Sequence, residues 1–375
     1  MKMKIQMLSL VILGLGIASC QKDSYSGFDK SDQDDLLQVF QNRKIADHPM
    51  IDLSGISNKQ TSKSLKSNST VRDSAWANQQ GKTYFVESSN IMVSDETADI
   101  IYPGAILRSN DIIDEYPFVP LSARDYDPLP IRASLSIPGS NVSGTNDYPS
   151  LDETRNFLGE VLGRQGNIEQ INSFSYTSSE FKDYNELKYS FGANVDVAKI
   201  ANAALTGGGT KISNRTGVIA KFVQENFTLD MSLPKKTELI GIDDANALQD
   251  EYVPTYISSV TYGRMGVFMA ETDVSYEEFN LAFKAGVNIG VVKADAHVTT
   301  EQKAILDRAK ITIYMKFGPG PAYARTVEGY EAFKAAILEG AAVASNSYGG
   351  PISFRMRNLK DFSLFKSVFK IDVSN

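Results

Sequence analysis

Between Phe279 and Val291 the chain alternates. Phe279, Leu281, Phe283, Ala285, Val287, Ile289 and Val291 are apolar; Asn280, Ala282, Lys284, Gly286, Asn288 and Gly290 between them are polar or small. A period of two belongs to a strand with one apolar and one wet face. A strand tilted across a bilayer takes about 9–11 residues, and this run is long enough. Gly286 and Gly290 weaken a strand that has to hold a permanent sheet. Two readings fit: an amphipathic strand in a soluble sheet, and a segment that becomes a strand without being one at rest.

Composition narrows the function classes. The chain has 375 residues, 42% hydrophobic and 22% charged, enough for a substantial core and more than one domain. Its net charge of -7 argues against nucleic acid as a partner, because a phosphate-binding surface needs excess Lys and Arg. The single cysteine is Cys20, so no internal disulfide and no cysteine metal cluster is expected. His48 and His297 are too few and too far apart for a histidine metal site, and His297 reads as a solvated loop residue. Gly207-Gly208-Gly209 lacks the Lys-Ser/Thr of a phosphate loop, and no nucleophile motif appears. Glu277-Glu278 reads as a solvated helix start. No cofactor and no enzymatic activity is expected.

The N-terminus reads as an export signal. Lys2 and Lys4 precede a short apolar run from Leu8 to Ile17, too short to span a bilayer. The sequence Ile17-Ala18-Ser19-Cys20 resembles a bacterial lipobox, which implies cleavage before Cys20 and a lipid on it. The following Gln21-Lys22-Asp23 is similar to the export tag of some gram-negative surface lipoproteins. The expected location is the bacterial outer membrane or cell surface, lipid-anchored or released. Ser57 to Thr70 is rich in Ser, Lys and Asn and reads as a tether. The folded part is expected to begin near Trp76.

Tyr84-Phe85-Val86, Ile91-Met92-Val93, Ile101 to Leu107 and Ile131 to Gly139 are strand candidates. Ser150 can cap a helix with Leu151, Leu158, Val161 and Leu162 on one side and Asp152 and Glu153 in its first turn. Thr300 to Arg308 reads as helix. So does Val327 to Val343, with Val327, Tyr330, Phe333 and Ile337 on one side.

Four stretches carry a resemblance. They are Tyr102-Pro103-Gly104-Ala105, the Leu-Ser-Ile-Pro-Gly end of the Ile131–Gly139 strand, Pro254 to Arg264 (PTYISSVTYGR), and Gly350 to Phe354 followed by Asn358-Leu359-Lys360-Asp361. In this order they resemble the cholesterol-dependent cytolysins, pore-forming proteins of the superfamily that includes perforin and complement. The likeness runs from about Ile101 to Lys360. It implies an α+β, elongated MACPF/CDC-type fold with a central bent antiparallel sheet flanked by two helical clusters. It divides the chain into a signal (1–19), a lipidated N-terminus and tether (20–72) and a core (73–375). Within the core it implies a discontinuous body (about 95–170, 228–251 and 325–350) and a pore-forming domain (about 171–227 and 252–324). Connecting strands take about 73–94 and 351–375. The family's C-terminal cholesterol-binding domain, with its tryptophan-rich loop, is expected to be lacking, since the only tryptophan is Trp76.

The family's mechanism is the unrolling of two helical clusters into β-hairpins. In the first candidate, Phe191, Ala193, Val195, Val197, Ala201, Ala203 and Leu205 share one face. After a tip at Thr206 to Thr210, Ile212, Val218, Ala220 and Phe222 share a face of the returning limb. The second candidate is the Phe279–Val291 run. A strand rises about 3.3 Å per residue and a helix about 1.5 Å, so unrolling roughly doubles the reach. Two hairpins cannot close a barrel, and an open edge is intolerable in lipid. The partners implied are therefore further copies in a ring, the target bilayer, and a longer cytolysin-like subunit that brings membrane binding.

The family also uses an aromatic pair to fix register between neighbouring copies. It falls here on Tyr176 and on Ile311, which is not aromatic. A glycine pair ending the inner strand falls on Phe317-Gly318, so only Gly318 carries over. Asp at Val287 and Ile289 is expected to abolish lysis and leave the monomer folded. The rival reading is a non-lytic surface lipoprotein acting as an adhesin or docking module.

Overall fold

The structure is a computed structural model. It describes residues 39–46, 50–52, 69–75, 77, 81–93, 97–109, 120–121, 126–165, 174–181, 214–234, 239–291, 297–316, 323–339 and 348–374. The early strands are β1 (Met50–Asp52), β2 (Ser69–Ala75), β3 (Gly81–Ser88), β4 (Ile91–Met92), β5 (Ile106–Leu107), β6 (Ile131–Leu135) and β7 (Ser143–Asn146). Helix α1 (Leu151–Gln165) precedes β8 (Phe174–Phe181), β9 (Thr216–Met231), α2 (Ile242–Ala247) and β10 (Thr255–Thr272). Then come α3 (Tyr276–Val291), α4 (Thr300–Arg308), β11 (Lys310–Lys316), β12 (Tyr323–Glu328) and α5 (Tyr330–Leu338). Strands β13 (Gly350–Asn358) and β14 (Ser367–Ser374) end the described chain. The fold is α+β, and its sheets are antiparallel except where β1 pairs with β14.

β10 organises the larger sheet. All of its residues are buried, as a strand covered on both faces must be. It pairs with β9 on one side, and on the other first with β13 and then with β11. β9 in turn pairs with β8 over its first half and with β6 near its end. One half of the sheet therefore runs β12-β11-β10-β9-β8, and the other β4-β13-β10-β9-β6-β7. A smaller sheet has the order β1-β14-β3-β2.

The partners change at Gly263. There β10 shifts register against β9: Tyr262 faces Phe227 and Gly263 faces Glu225, leaving Asn226 as a bulge. A β-carbon on Gly263 would lie 2.0 Å from the Gln224 carbonyl oxygen. Gly349, at φ +80°, closes in from the β13 side, where a β-carbon would lie 2.2 Å from the Gly263 oxygen. Three backbones meet here with room for no side chain.

The core has three clusters. In the first, Phe157, Leu158, Val161 and Leu162 of α1 pack on Ala133, Leu135, Phe227 and Leu229. Ser150 caps α1 as expected, its Oγ accepting from the Glu153 amide at 3.2 Å. In the second, α3, α4 and α5 cover one face of the β11-β10-β9 sheet through Phe279, Phe283, Val287, Leu306 and Phe333. The third gathers Ile106, Tyr126, Tyr256, Leu248 and Leu359 around Phe40.

Several expectations need correction. Pro254 to Arg264, which the resemblance makes a strand and a turn, holds no turn; β10 runs on from Thr255 through Arg264, which is buried at 1% exposure. The helix expected from Val327 begins at Tyr330, because Gly329 at φ +82° breaks the chain direction and leaves Val327 at the end of β12. The fold does not begin near Trp76, which lies outside the described residues. Residues 39–46 dock in the core ahead of it, driven by Phe40 and Ala46, and β2 takes the end of the expected tether at Ser69 and Thr70. β13 belongs to the large sheet, whereas β14 joins the small one.

Candidate functional site

The alternating run is helical at rest. α3 opens with a reciprocal cap: Ser275 Oγ accepts from the Glu278 amide at 3.3 Å, and Glu278 accepts from the Ser275 amide at 3.1 Å and hydroxyl at 2.7 Å. Those bonds hold the Glu278 carboxyl below its ordinary pKa. α4 opens with the same device at Thr299 and Gln302.

The helix sorts its residues differently from the strand pattern. Phe279, Ala282, Phe283, Gly286 and Val287 face the sheet and α5. Phe283 lies at the centre, with ring centroids 5.0 Å from Phe268 and 4.7 Å from Phe333. Leu281 belongs to the apolar face of the period-two pattern yet stands 64% exposed, and Ala285 is only half-buried. Ala282, from the small and polar set, is fully buried. The helix therefore meets its packing needs with one subset of residues, while a different and complete apolar stripe exists at period two.

α3 is also bonded to β8, the outer strand of its half-sheet among the described residues. Tyr176 Oη donates to Asn280 Oδ1 at 2.9 Å, and Ser178 Oγ donates to the same oxygen at 2.7 Å. Ser178 has one proton and gives it to Asn280, so its 3.0 Å contact with Tyr276 Oη is a bond in which the tyrosine donates. Burial pushes the Tyr176 hydroxyl's pKa well up. The Tyr176 ring leans on Phe283, centroids 6.3 Å apart.

The other sequence-derived residues fall as follows. Tyr176 faces Phe222 across β8 and β9. Ile311 faces Ala270 and Val327 on β11, with β9 and β10 between it and β8, so the pair does not meet within one copy. Val218, Ala220 and Phe222 are not in a helical cluster: they line β9 and are buried in the same core as α3. Phe191, Ala193, Val195, Val197, Ala201, Ala203, Leu205, Ile212, Gly318 and Cys20 lie outside the described residues. Ile289 and Val291 lie in α3. His297 is exposed, as expected of a loop residue. Among the described residues no helix is long and apolar enough to cross a membrane, which says nothing of strands.

The thiol-activated cytolysin family model matches residues 51–370. The chain belongs to that family. Among curated relatives, the chain is 26% identical to pneumolysin of Streptococcus pneumoniae over 291 residues, covering 73% of this chain and 60% of that protein. It is 23% identical to alveolysin of Paenibacillus alvei, covering 73% of this chain and 56% of that one. It therefore spans less than two thirds of the length of these relatives. The crystal structure of listeriolysin O matches 92% of this chain and 72% of its own with a TM-score of 0.64 at 17% identity, which is a likeness of fold.

Sequence reading missed Tyr276, Asn280 and Ser178, singled out Tyr176 only as a register residue, and missed the partners of Arg264. Tyr276 and Asn280 stand four apart, and Tyr176 and Ser178 two apart; each pair looks like an ordinary solvated face until helix and strand meet. Arg264 sat inside a motif and gave no sign of its partners on α5.

Proposed function

We propose that this cytolysin-family chain is a pore-forming subunit that assembles with further copies into a ring and inserts two β-hairpins per copy. The observation that carries this reading is the double patterning of α3. Its inward face suits the helix, while Leu281 and Ala285 complete an apolar stripe that has a use only in an extended segment. An exposed leucine on a surface helix is unremarkable alone; one that completes an alternating stripe from Phe279 to Val291 supports a second, extended state. The first hairpin is drawn from the Phe191–Phe227 stretch, with Val218, Ala220 and Phe222 already extended in β9. Lipidation at Cys20, export to the outer membrane or cell surface, and a longer partner subunit for targeting belong to this proposal.

The structure improves the test. Val287 is fully buried at rest, so Asp there would damage the monomer as well as the inserted strand. Leu281 is exposed at rest and lipid-facing in the extended state. Leu281→Asp is expected to leave folding unchanged and abolish leakage from target vesicles, since a charge on the lipid face costs up to a few kcal/mol. A polarity-sensitive dye at L281C should shift to the blue on membranes, while the same dye at K284C should not. Leu281→Asp protein that still lyses would overturn the proposal. Cell binding without a dye shift or leakage would instead favour the non-lytic docking module.

A further inference from the structure

The bonds between α3 and β8 form a continuous chain. The proton of Tyr276 goes to Ser178, that of Ser178 to Asn280 Oδ1, and that of Tyr176 to the same Oδ1, at 3.0, 2.7 and 2.9 Å. Each hydroxyl proton has an acceptor. Two of the four residues are spaced i, i+4 on a helix and two i, i+2 on a strand. Four helical residues rise about 6 Å, and two strand residues about 6.6 Å, so the spacings match side by side. Were α3 extended, Tyr276 and Asn280 would stand about 13 Å apart, and Tyr176 and Ser178 could no longer meet both. The contact therefore fits the helical state of α3 and no extended one. It sits on β8, which among the described residues pairs with β9 on one side only. We propose that Asn280 and Tyr276 of α3, with Tyr176 and Ser178 of β8, form a latch that keeps α3 helical on the sheet and sets how fast it leaves.

The rest of the α3 contact is apolar. Phe279, Phe283 and Val287 pack on Phe268, Phe333 and Leu306. Apolar packing is tolerant of small slides, whereas the paired hydroxyls fix one register. The latch thus supplies a directional hold at β8, where the half-sheet ends among the described residues. It also occupies Tyr176 and Ser178 for as long as α3 stays down. Release of α3 frees both side chains of the outer strand together, so the two events are coupled through one amide oxygen.

This inference rests on the reading of α3 as the segment that changes shape, and its test does not need a membrane. In the full chain carrying Cys20→Ser, a cysteine at the buried Val287 reports opening of α3 through its rate of reaction with a small thiol reagent. A cysteine at Val161, buried in α1, reports opening elsewhere. Asn280→Ala removes the shared acceptor and is expected to speed labelling at V287C roughly tenfold, with V161C unchanged. The double variant Tyr176→Phe with Ser178→Ala should do the same from the strand side. Asn280→Asp keeps an acceptor oxygen in place and should restore slow labelling. An unchanged V287C rate in both the helix and the strand variants would overturn the latch. So would equal acceleration at V161C, which would mean general loosening. The dye at L281C separates the two readings. Faster labelling with no dye shift on any membrane upholds the latch and defeats the pore; a dye shift with unchanged labelling does the reverse.

Discussion

Arg264 on the central strand donates through NH1 to the carbonyl oxygen of Ile337 at 2.8 Å, near the C-terminal end of α5. The same nitrogen donates to the Glu339 carbonyl at 2.7 Å, and Nε donates to Gln224 Oε1 at 2.8 Å. The guanidinium lies over the Phe222 ring, 5.4 Å from its centroid. A cation at the C-terminal end of a helix is favourably placed, because the free carbonyls carry partial negative charge. Arg264 thus ties α5, and through Gly329 the covering strand β12, to the middle of the sheet.

Replacing Arg264 by Met should be severe. The change keeps an unbranched apolar stem, although a shorter one, and strips the buried Ile337 carbonyl, the part-buried Glu339 carbonyl and the buried Gln224 amide of their donor. Charge-assisted bonds of this kind are worth about 1.5–3 kcal/mol each, so a loss of about 3 kcal/mol or more is expected. It would appear as a lower midpoint in urea with an unchanged slope. Arg264→Lys should recover only part of it, since an ammonium cannot reproduce the planar fork.

Gly266 is close-packed for a different reason. A β-carbon there would lie 2.0 Å from a ring carbon of Phe222. That ring cannot easily move: it stacks on Phe268 at 5.4 Å and lies beneath Arg264. Gly266→Ala is expected to cost about 1–3 kcal/mol through overpacking. In a double-mutant cycle with Phe222→Leu, which leaves room, the penalty of the alanine should shrink. Equal penalties in both backgrounds would mean that the ring is not the obstacle.

Lys221 lies on β9 on the face away from α3, where burial lowers its pKa from 10.5 to about 8. A lysine whose folded pKa is depressed holds fewer protons folded than unfolded between these two values. Stability should therefore rise with pH from about 8 to about 10.5. The burial cost is fully present below pH 8. At 1.36 kcal/mol per unit the ceiling is about 3 kcal/mol, and the partial solvent contact of the side chain reduces it. Lys221→Met should flatten this segment of the stability–pH curve, measured by urea melts from pH 7 to 10.5. A slope that persists in the variant would assign the effect to another group.

Local chemistry was legible where it stayed local. Ser150 with its acidic first turn announced α1, and Thr300 to Arg308 announced α4 almost to the residue. The alternation at Phe279–Val291 was visible, yet the resting helix it forms depends on Phe268 and Phe333, which lie elsewhere in the chain. β10 was legible only through the resemblance, as a strand within Pro254 to Arg264, and not from its pattern. Covered on both faces and carrying Arg264 and Glu271 inside, it shows no period at all. Val327 sits three residues before Tyr330 and seemed to extend the α5 face; only the positive φ of Gly329 separates strand from helix. The docked segment at 39–46 was placed with the N-terminal tether although Val39, Phe40, Ile45 and Ala46 make half of it apolar, because its partners, such as Val253 and Leu359, lie far away in the chain.

That segment gives a last prediction, because it lies ahead of the family match at 51–370 and still enters the core. Phe40 is 2% exposed, among Ile106, Tyr126, Leu248 and Leu359. The Lys44 carbonyl accepts from the Val253 amide at 2.8 Å, and the Lys44 amide donates to the Glu251 carbonyl at 3.2 Å. Arg43 NH2 donates to the carbonyls of Leu248 at 2.7 Å and Ala245 at 3.1 Å, around the end of α2. Lys360 Nζ donates back to the carbonyls of Gln41 and Arg43. These bonds net about 1 kcal/mol apiece, whereas truncating a buried Phe typically costs about 3–5 kcal/mol. In Phe40→Ala the segment should therefore come away rather than hold an empty socket. Trypsin would then cut at Arg43 or Lys44 much faster than in the parent, and mass spectrometry would show the new N-terminus. Lys44→Ala, which removes the exposed pair with Glu251 and the contact of Nζ with the Tyr252 ring, should change stability by less than about 1 kcal/mol. If Phe40→Ala left Arg43 as protected as in the parent, the backbone bonds rather than the aromatic anchor would be what holds the segment down.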